Sequence, residues 1–287
     1  MIVVTGANGQ LGRLVIQGLL QKLPAASIVA AVRSPDKAQD LAALGVQLRQ
    51  ADYTRPATLD AAFQGASKLL LISSSEVGQR VPQHRAVIDA AVRAKVGLLA
   101  YTSVLHANSS PLGLAAEHLE TEAMLQASGL PYVLLRNGWY TENYLAGLAP
   151  AIEHGALIGS AGGGRISSAA RADYAAAAVA VLTSTQNLAG RIYELAGDSA
   201  YSLSDLAAEI ARQSGKAVAY RNLSEADYKA ALIGVGLPEP VAGLISDSDV
   251  GASKGGLYDD RHLLSELIGR PTTPMAVQLA AALKAGA

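Results

Sequence analysis

Three glycines recur at every third position in TGANGQLG, Thr5 to Gly12, between an apolar run and a segment with helical periodicity. Gly6 allows a tight turn, Gly9 lets backbone approach a pyrophosphate, and Gly12 lets the helix pack closely on the strand. The free N–H groups, with the positive end of the helix, then face an anion. A glycine-rich turn can also bind nothing. Its place between a first strand and a first helix, with five further β units behind it, points to a dinucleotide.

The second apolar run, SIVAAVR, ends at Arg33 rather than at an acidic residue. A carboxylate there would take the ribose 2′-hydroxyl of NAD, whereas a guanidinium can fork onto the 2′-phosphate of NADP. The expected cofactor is therefore NADPH, with NADH accepted more weakly. The lesser alternative for Arg33 is a solvated arginine at a strand end, and Asp36 lies nearby but beyond a proline. Ser73, Ser74 and Ser75 follow the fourth run; their small side chains allow close approach, and a serine turn capping the next helix reads almost as well. Asp52 ends the third run, where a carboxylate can meet the adenine amino group, although a plain loop carboxylate is the simpler reading. After the sixth run, NGWYTENY brings Asn137, Gly138, Trp139, Tyr140, Thr141, Glu142, Asn143 and Tyr144 together, including the only tryptophan. This stretch is expected to face the nicotinamide, the alternative being a packing loop.

Several constellations are missing. None of the eleven tyrosines has a lysine four residues on, so the Tyr-x-x-x-Lys pair that transfers a proton in alcohol–ketone chemistry is absent. His118 stands near the tyrosine's expected place without a lysine and reads as structural. There is no H-E-x-x-H, no G-x-S-x-G elbow between a strand and a helix, and no G-x-x-x-x-G-K-[ST]. With no cysteine, thiolate catalysis and disulfides are excluded. Catalytic side chains stay unassigned, and no metal is expected.

The elements that must position these residues alternate. Apolar runs at 2–6, 27–33, 45–52, 68–74, 97–103 and 131–137 are separated by helix-like segments, the pattern of a parallel sheet covered on both faces. The fold class is α/β: a Rossmann-type doubly wound parallel sheet with a smaller C-terminal α/β lobe. The expected partition places 1–136, rejoined by about 165–196, in the dinucleotide-binding domain, and 137–164 with 197–287 in the smaller lobe. NGWYTENYLAGLAP and SAGGGRISSAAR read as loop-rich, RADYAAAAVAVLTS as a buried helix, and SDSDVGASKGG as a loop. The 287 residues are half hydrophobic with a net charge of −1, and no Lys/Arg run suggests nucleic acid. No signal-peptide layout or membrane span is expected, and the expected location is cytoplasmic. Oligomeric state is not encoded legibly.

TGANGQLG, Arg33 within AAVRSPDKA, the missing Tyr/Lys pair and RNGWYTENY together resemble the NmrA-like branch of atypical short-chain dehydrogenases. The resemblance continues through LLLISSSEVGQRVPQHRAVIDAA, AYTSVLHANSSPLGLAAEHLETE, SSAARADYAAAA, ELAGDSAYSLSDLAAEIARQSGK and SDSDVGASKGGLYDD, almost the whole chain. It implies NADPH-dependent, flavin-independent reduction of small-molecule quinones by direct hydride transfer. It also implies that Gly6, Ala7, Asn8, Gly9, Gln10 and Leu11 form the phosphate loop, that Arg171 closes the cofactor cleft and that Asn143 and Tyr144 contact the quinone. Some NmrA-like proteins bind the dinucleotide without turnover, so a non-catalytic NADP(H) sensor is the alternative. Reduction of a double bond in a plant-phenolic type of substrate is a third; such enzymes rely on a lysine where this chain has glutamates.

Overall fold

The computed structural model describes residues 1–285. In chain order the elements are β1 (Ile2–Thr5), α1 (Gln10–Leu20), β2 (Ile28–Val32), α2 (Gln39–Ala43), β3 (Gln47–Gln50), α3 (Pro56–Phe63), β4 (Lys68–Leu71), α4 (Arg80–Arg93), β5 (Leu98–Val104), α5 (Ala115–Ala127) and β6 (Tyr132–Asn137). There follow α6 (Thr141–Leu145), α7 (Leu148–His154), β7 (Ala156–Gly159), α8 (Arg171–Thr183), β8 (Ile192–Leu195), α9 (Leu203–Ser214), β9 (Ala219–Asn222), α10 (Glu225–Gly234), α11 (Glu239–Ser253), α12 (Leu263–Ile268) and α13 (Met275–Ala285). Two compact units form. The first comprises Met1–Ala107, Ala116–Asn137 and Arg171–Glu194; the second comprises Asn108–Ala115, Gly138–Ala170 and the chain from Leu195 on.

The first unit is a seven-stranded sheet in the order β3-β2-β1-β4-β5-β6-β8, with parallel pairing from β3 through to β6. This is the doubly wound order, and its direction reverses between β1 and β4, where ligands of such sheets bind at the carboxyl ends of the strands. The strands lack polar alternation because both faces are covered. Val3, Val29, Ala31, Leu69, Leu71, Leu99, Tyr101 and Leu134 pack with Leu59, Phe63, Val87, Ile88 and Leu125 of α3, α4 and α5 in one core. The alternate strand positions serve the face covered by α1 and α8, which also pack on each other. The alanine-rich RADYAAAAVAVLTS is the buried helix α8 that its composition suggested. Lys68 Nζ donates to the carbonyls of Leu182 (2.9 Å) and Ser184 (2.6 Å) and so fixes the end of α8 to β4.

In the second unit β7 and β9 pair in parallel, with Ala156 opposite Ala219. Ser202 and Asp205 close a capping box on α9, and Gly215 ends that helix in the left-handed conformation. Ser224 caps α10.

Two expectations fail here. SDSDVGASKGG is not a loop: its first eight residues end α11. Its serines are satisfied within the helix, Ser246 Oγ donating to Gly243 O (3.1 Å) and Ser248 Oγ to Leu244 O (2.7 Å). Asp249 on the same helix accepts the Ser160 N–H at 2.8 Å. The second correction concerns NGWYTENYLAGLAP, which is largely helical as α6 and α7 rather than loop-rich.

Candidate functional site

The turn after β1 is built from backbone. Gly6 adopts φ +58°, and Gly9 N–H donates to Gly6 O at 2.9 Å. A side chain at Gly12 would lie 2.4 Å from Gly6 O and 2.6 Å from Ala7 Cα, so only glycine permits this turn to sit on α1. Gly9 is the N-cap, no side chain caps α1, and no acidic residue occupies its first turn. The first N–H groups of the helix therefore have no intrahelical acceptor, the condition for holding a phosphate.

The turn's side chains take different roles. Gly6, Gly9 and Gln10 are exposed, whereas Ala7 and Leu11 are buried and offer only backbone. Asn8 braces the turn: its Nδ2 donates to Lys37 O (3.3 Å) and its Oδ1 accepts from Arg13, which also pairs with Asp40. Nothing in the sequence pattern marked Arg13, because its partners lie on separate elements.

Thr5 ties the end of β1 to that of β4. Its hydroxyl donates to Leu70 O (3.0 Å) and accepts from Ile72 N–H (3.2 Å) and the Tyr53 hydroxyl (2.6 Å). The serine loop is then held by its backbone. Ser73 N–H donates to Thr102 Oγ1 (2.8 Å), Ser74 N–H donates to His84 Nε2 (2.9 Å), and Ser74 O accepts from Arg80 Nε (2.6 Å). Because His84 Nε2 is the acceptor, Nδ1 carries the proton and donates to Thr121 Oγ1 at 2.9 Å. Burial, reinforced by the Arg80 charge, pushes His84 down to about 3 and keeps it neutral. Burial, with Arg80 and His84 adding to it, likewise pushes His118 down to about 3; its Nδ1 lies 2.6 Å from the Tyr101 hydroxyl. His118 is thus a buried structural histidine.

Arg33 is exposed at the end of β2 and its Nη1 donates to Glu76 Oε1 at 2.9 Å. Asp52 stands close by. Burial raises its carboxyl, but the N–H and hydroxyl of Thr54 and the charges of Arg33 and Arg55 leave it below the usual carboxylate value. Its Oδ1 accepts from Thr54, the plain loop role.

Asn137 ends β6, and its buried Oδ1 has no hydrogen-bond partner among the described residues. An orphaned amide oxygen at the carboxyl edge of the sheet suits a ligand carrying N–H groups, such as a carboxamide. Behind it runs a buried ionic network. Arg136 donates to Glu122 (Nε to Oε1 2.9 Å, Nη2 to Oε2 2.5 Å) and to Glu194 Oε1 (2.8 Å). Ser103 Oγ donates to Glu122 Oε1 (2.5 Å), and His106 N–H donates to Glu194 Oε2 (2.7 Å). Burial opposes the charge of Arg136, yet the two carboxylates hold its guanidinium more firmly protonated than usual. Glu122, on the helix after β5, therefore serves structure. Arg171 opens α8 in the same unit.

The remaining residues singled out from the sequence lie in the second unit. Gly138 N–H donates to Leu195 O (2.7 Å), and Tyr140 pairs with Ala169 in an isolated bridge. Thr141 is fully buried and joins a hydroxyl chain with Ser168 (2.7 Å), which reaches Tyr201 (2.5 Å). Its side chain packs inside this unit. Trp139, Tyr140 and Glu142 are partly buried and Asn143 is exposed. The Tyr144 hydroxyl is buried and has no partner among the described residues. Burial first, then the Asp249 charge, pushes its ionisation well above that of an ordinary tyrosine.

Among the described residues, no three His, Asp or Glu stand together as metal ligands, and no helix is long and apolar enough to cross a membrane. A groove of about 740 Å³ along α4 and α5, lined by Val81, Arg85, Ile88 and Met124, includes none of the residues singled out above.

A family model described as NAD(P)H-binding matches residues 6–185. Quinone oxidoreductase 2 of Escherichia coli (strain K12) is 62% identical over 276 residues, 96% of this chain and 96% of that protein. The crystal structure of an NADPH-dependent quinone oxidoreductase from Escherichia coli, complexed with NADPH, matches with a TM-score of 0.96 at 61% identity. That match covers 99% of this chain and 100% of that one. Triphenylmethane reductase of Citrobacter sp., complexed with NADP(H), matches with a TM-score of 0.95 at 38% identity, covering 98% of this chain and 100% of that one.

Proposed function

Because the chain belongs to the NAD(P)H-binding family, we propose that it is an NADPH-dependent quinone reductase. The observation that carries this reading is the 62% identity, over 96% of both chains, to a quinone oxidoreductase. The turn after β1, the uncapped α1 and the orphaned Asn137 oxygen supply the groups such a cofactor needs. NADPH, when bound, supplies the hydride.

The chain's own residues provide position. The first-turn N–H groups of α1 hold the pyrophosphate, Arg33 holds the 2′-phosphate, and the loop 73–75 lines the cofactor, kept in place by Thr102, His84 and Arg80. Asn137 Oδ1 accepts from the carboxamide. Gly138, Trp139, Tyr140, Thr141 and Glu142 are assigned to the cofactor and Asn143 and Tyr144 to the quinone; of these, Thr141 is the most committed within the protein, its hydroxyl to Ser168 and its N–H to Ala169 O. Arg171 is assigned to the cofactor.

The missing Tyr/Lys pair is compatible with this chemistry. A quinone spreads incoming negative charge onto an aromatic oxygen, and water can deliver the proton. The work left to the protein is orientation, and no flavin is needed. The proposed place of action is the cytoplasm.

The test is NADPH absorbance with purified protein, no added flavin and 1,4-benzoquinone, against a no-enzyme control. Enzyme-dependent oxidation is the expected result. Tight NADPH binding without turnover on any quinone overturns the reading in favour of a non-catalytic NADP(H) sensor.

A further inference from the structure

Glu76 carries no assignment from the sequence, yet it is the residue that Arg33 touches. Its loop is held by several hydrogen bonds. Besides the contacts of Ser73 and Ser74, Glu76 N–H donates to Ser74 Oγ (3.1 Å) and Gly78 N–H donates to Glu117 Oε1 (2.9 Å). The carboxylate is divided between two partners. Oε2 accepts from Nε2 of the buried Gln83 at 2.7 Å, while Oε1 accepts from Arg33 at 2.9 Å. One oxygen is thus anchored from inside the protein, and the other is presented at the end of β2.

We propose that Glu76 sets which nicotinamide dinucleotide the chain accepts, by competing with a 2′-phosphate for Arg33 and by accepting a hydrogen bond from a free 2′-hydroxyl. This rests on the assignment of Arg33 to the 2′ end of the cofactor. A dianionic phosphate must take Arg33 away from Glu76 and then stand beside a carboxylate that Gln83 keeps from swinging clear. Asp52, whose carboxyl feels Arg33, adds negative charge on the same side. A 2′-hydroxyl meets neither obstacle. A carboxylate at this place is what NAD-binding sheets of this class use, usually from the end of the second strand. Here it arrives from the loop after β4, so one arginine and one glutamate pull the preference in opposite directions.

The test uses calorimetric titration with 2′,5′-ADP and with 5′-AMP, which report the 2′ end without turnover. Arg33→Ala should weaken 2′,5′-ADP by about ten- to a hundredfold, the range of a charged hydrogen bond, and leave 5′-AMP almost unchanged. Glu76→Gln keeps an acceptor for Gln83 and removes the charge. It should tighten 2′,5′-ADP by about two- to fivefold, the scale of an exposed ion pair, and weaken or leave 5′-AMP. Glu76→Ala should shift the ratio in the same direction. In the Arg33→Ala background the gain from Glu76→Gln should shrink, because the competition has gone. If Arg33→Ala weakens 2′,5′-ADP but neither Glu76 variant moves the ratio, the role of Glu76 is overturned and that of Arg33 stands. If Arg33→Ala leaves 2′,5′-ADP unchanged, the Arg33 assignment falls, and this proposal with it.

Discussion

Arg33 and Arg136 are both strand-end arginines paired with glutamate in the same sheet, and they do opposite things. The Arg33 side chain is 69% exposed and that of Glu76 is 46% exposed, with one contact at 2.9 Å. The Arg136 side chain is 7% exposed and carries two carboxylates, Glu122 and Glu194, themselves 9% and 12% exposed. An exposed pair contributes little to stability and is readily exchanged for another anion. A buried network is expensive to assemble, and removing one member leaves the others charged without a partner. The first arrangement suits a residue that must trade partners when a ligand arrives. The second suits a residue that must never move, one position before Asn137.

The sharpest way to break this contrast is Arg136→Ala. It should lower stability by about 3–5 kcal/mol in urea unfolding, because two buried carboxylates lose their cation. Arg33→Ala should shift the same curve by about 1 kcal/mol at most. Similar losses for both variants would show that burial does not distinguish the two pairs.

Next in size is cofactor affinity. Arg33→Ala should raise the Kd for NADPH by about ten- to a hundredfold, measured by fluorescence quenching, with a much smaller effect on NADH. Equal losses for both dinucleotides would move the 2′-phosphate to another residue.

Acid should act through two buried histidines. His84 and His118 sit near 3 in the fold, below the ordinary histidine value of 6.5. The unfolded chain therefore binds more protons across that interval. Stability from these histidines is complete above pH 6.5 and is lost as pH falls towards 3. The stability-versus-pH slope in that window should flatten in His84→Gln, and an unchanged slope would contradict the neutral, buried assignment.

The smallest expected effect is that of salt. Raising ionic strength should weaken NADPH binding several-fold while leaving the stability difference between Arg136→Ala and the parent almost unchanged, since screening reaches exposed charges far better than buried ones.

Local chemistry explains what the sequence disclosed. The turn after β1 was legible because three glycines between a strand and a helix have few other uses, and the strands were legible as continuous apolar runs. Arg33 was legible from its place at a strand end. Its partner was not: Glu76 lies 43 residues away, and only the pairing of β1 with both β2 and β4 brings the two loops together. Thr141 was marked for the cofactor by its neighbourhood, but its hydroxyl is used by Ser168. SDSDVGASKGG looked like a loop because polar residues usually favour one, whereas its serines bond backward along α11. The short strand β7 escaped notice because ALIG is too brief to show a period; its pairing with β9 defines it.

The return of the chain through α8 and β8 has a consequence for synthesis on the ribosome. β6 ends at Asn137, but the strand that covers its free edge begins at Ile192. The helix that packs on α1 begins only at Arg171. A nascent chain that has emerged only as far as Asn137 therefore presents an open sheet edge and an uncovered apolar helix face. Contacts this distant in sequence form late and slowly. The first unit cannot close until most of the second unit's leading segment has been made.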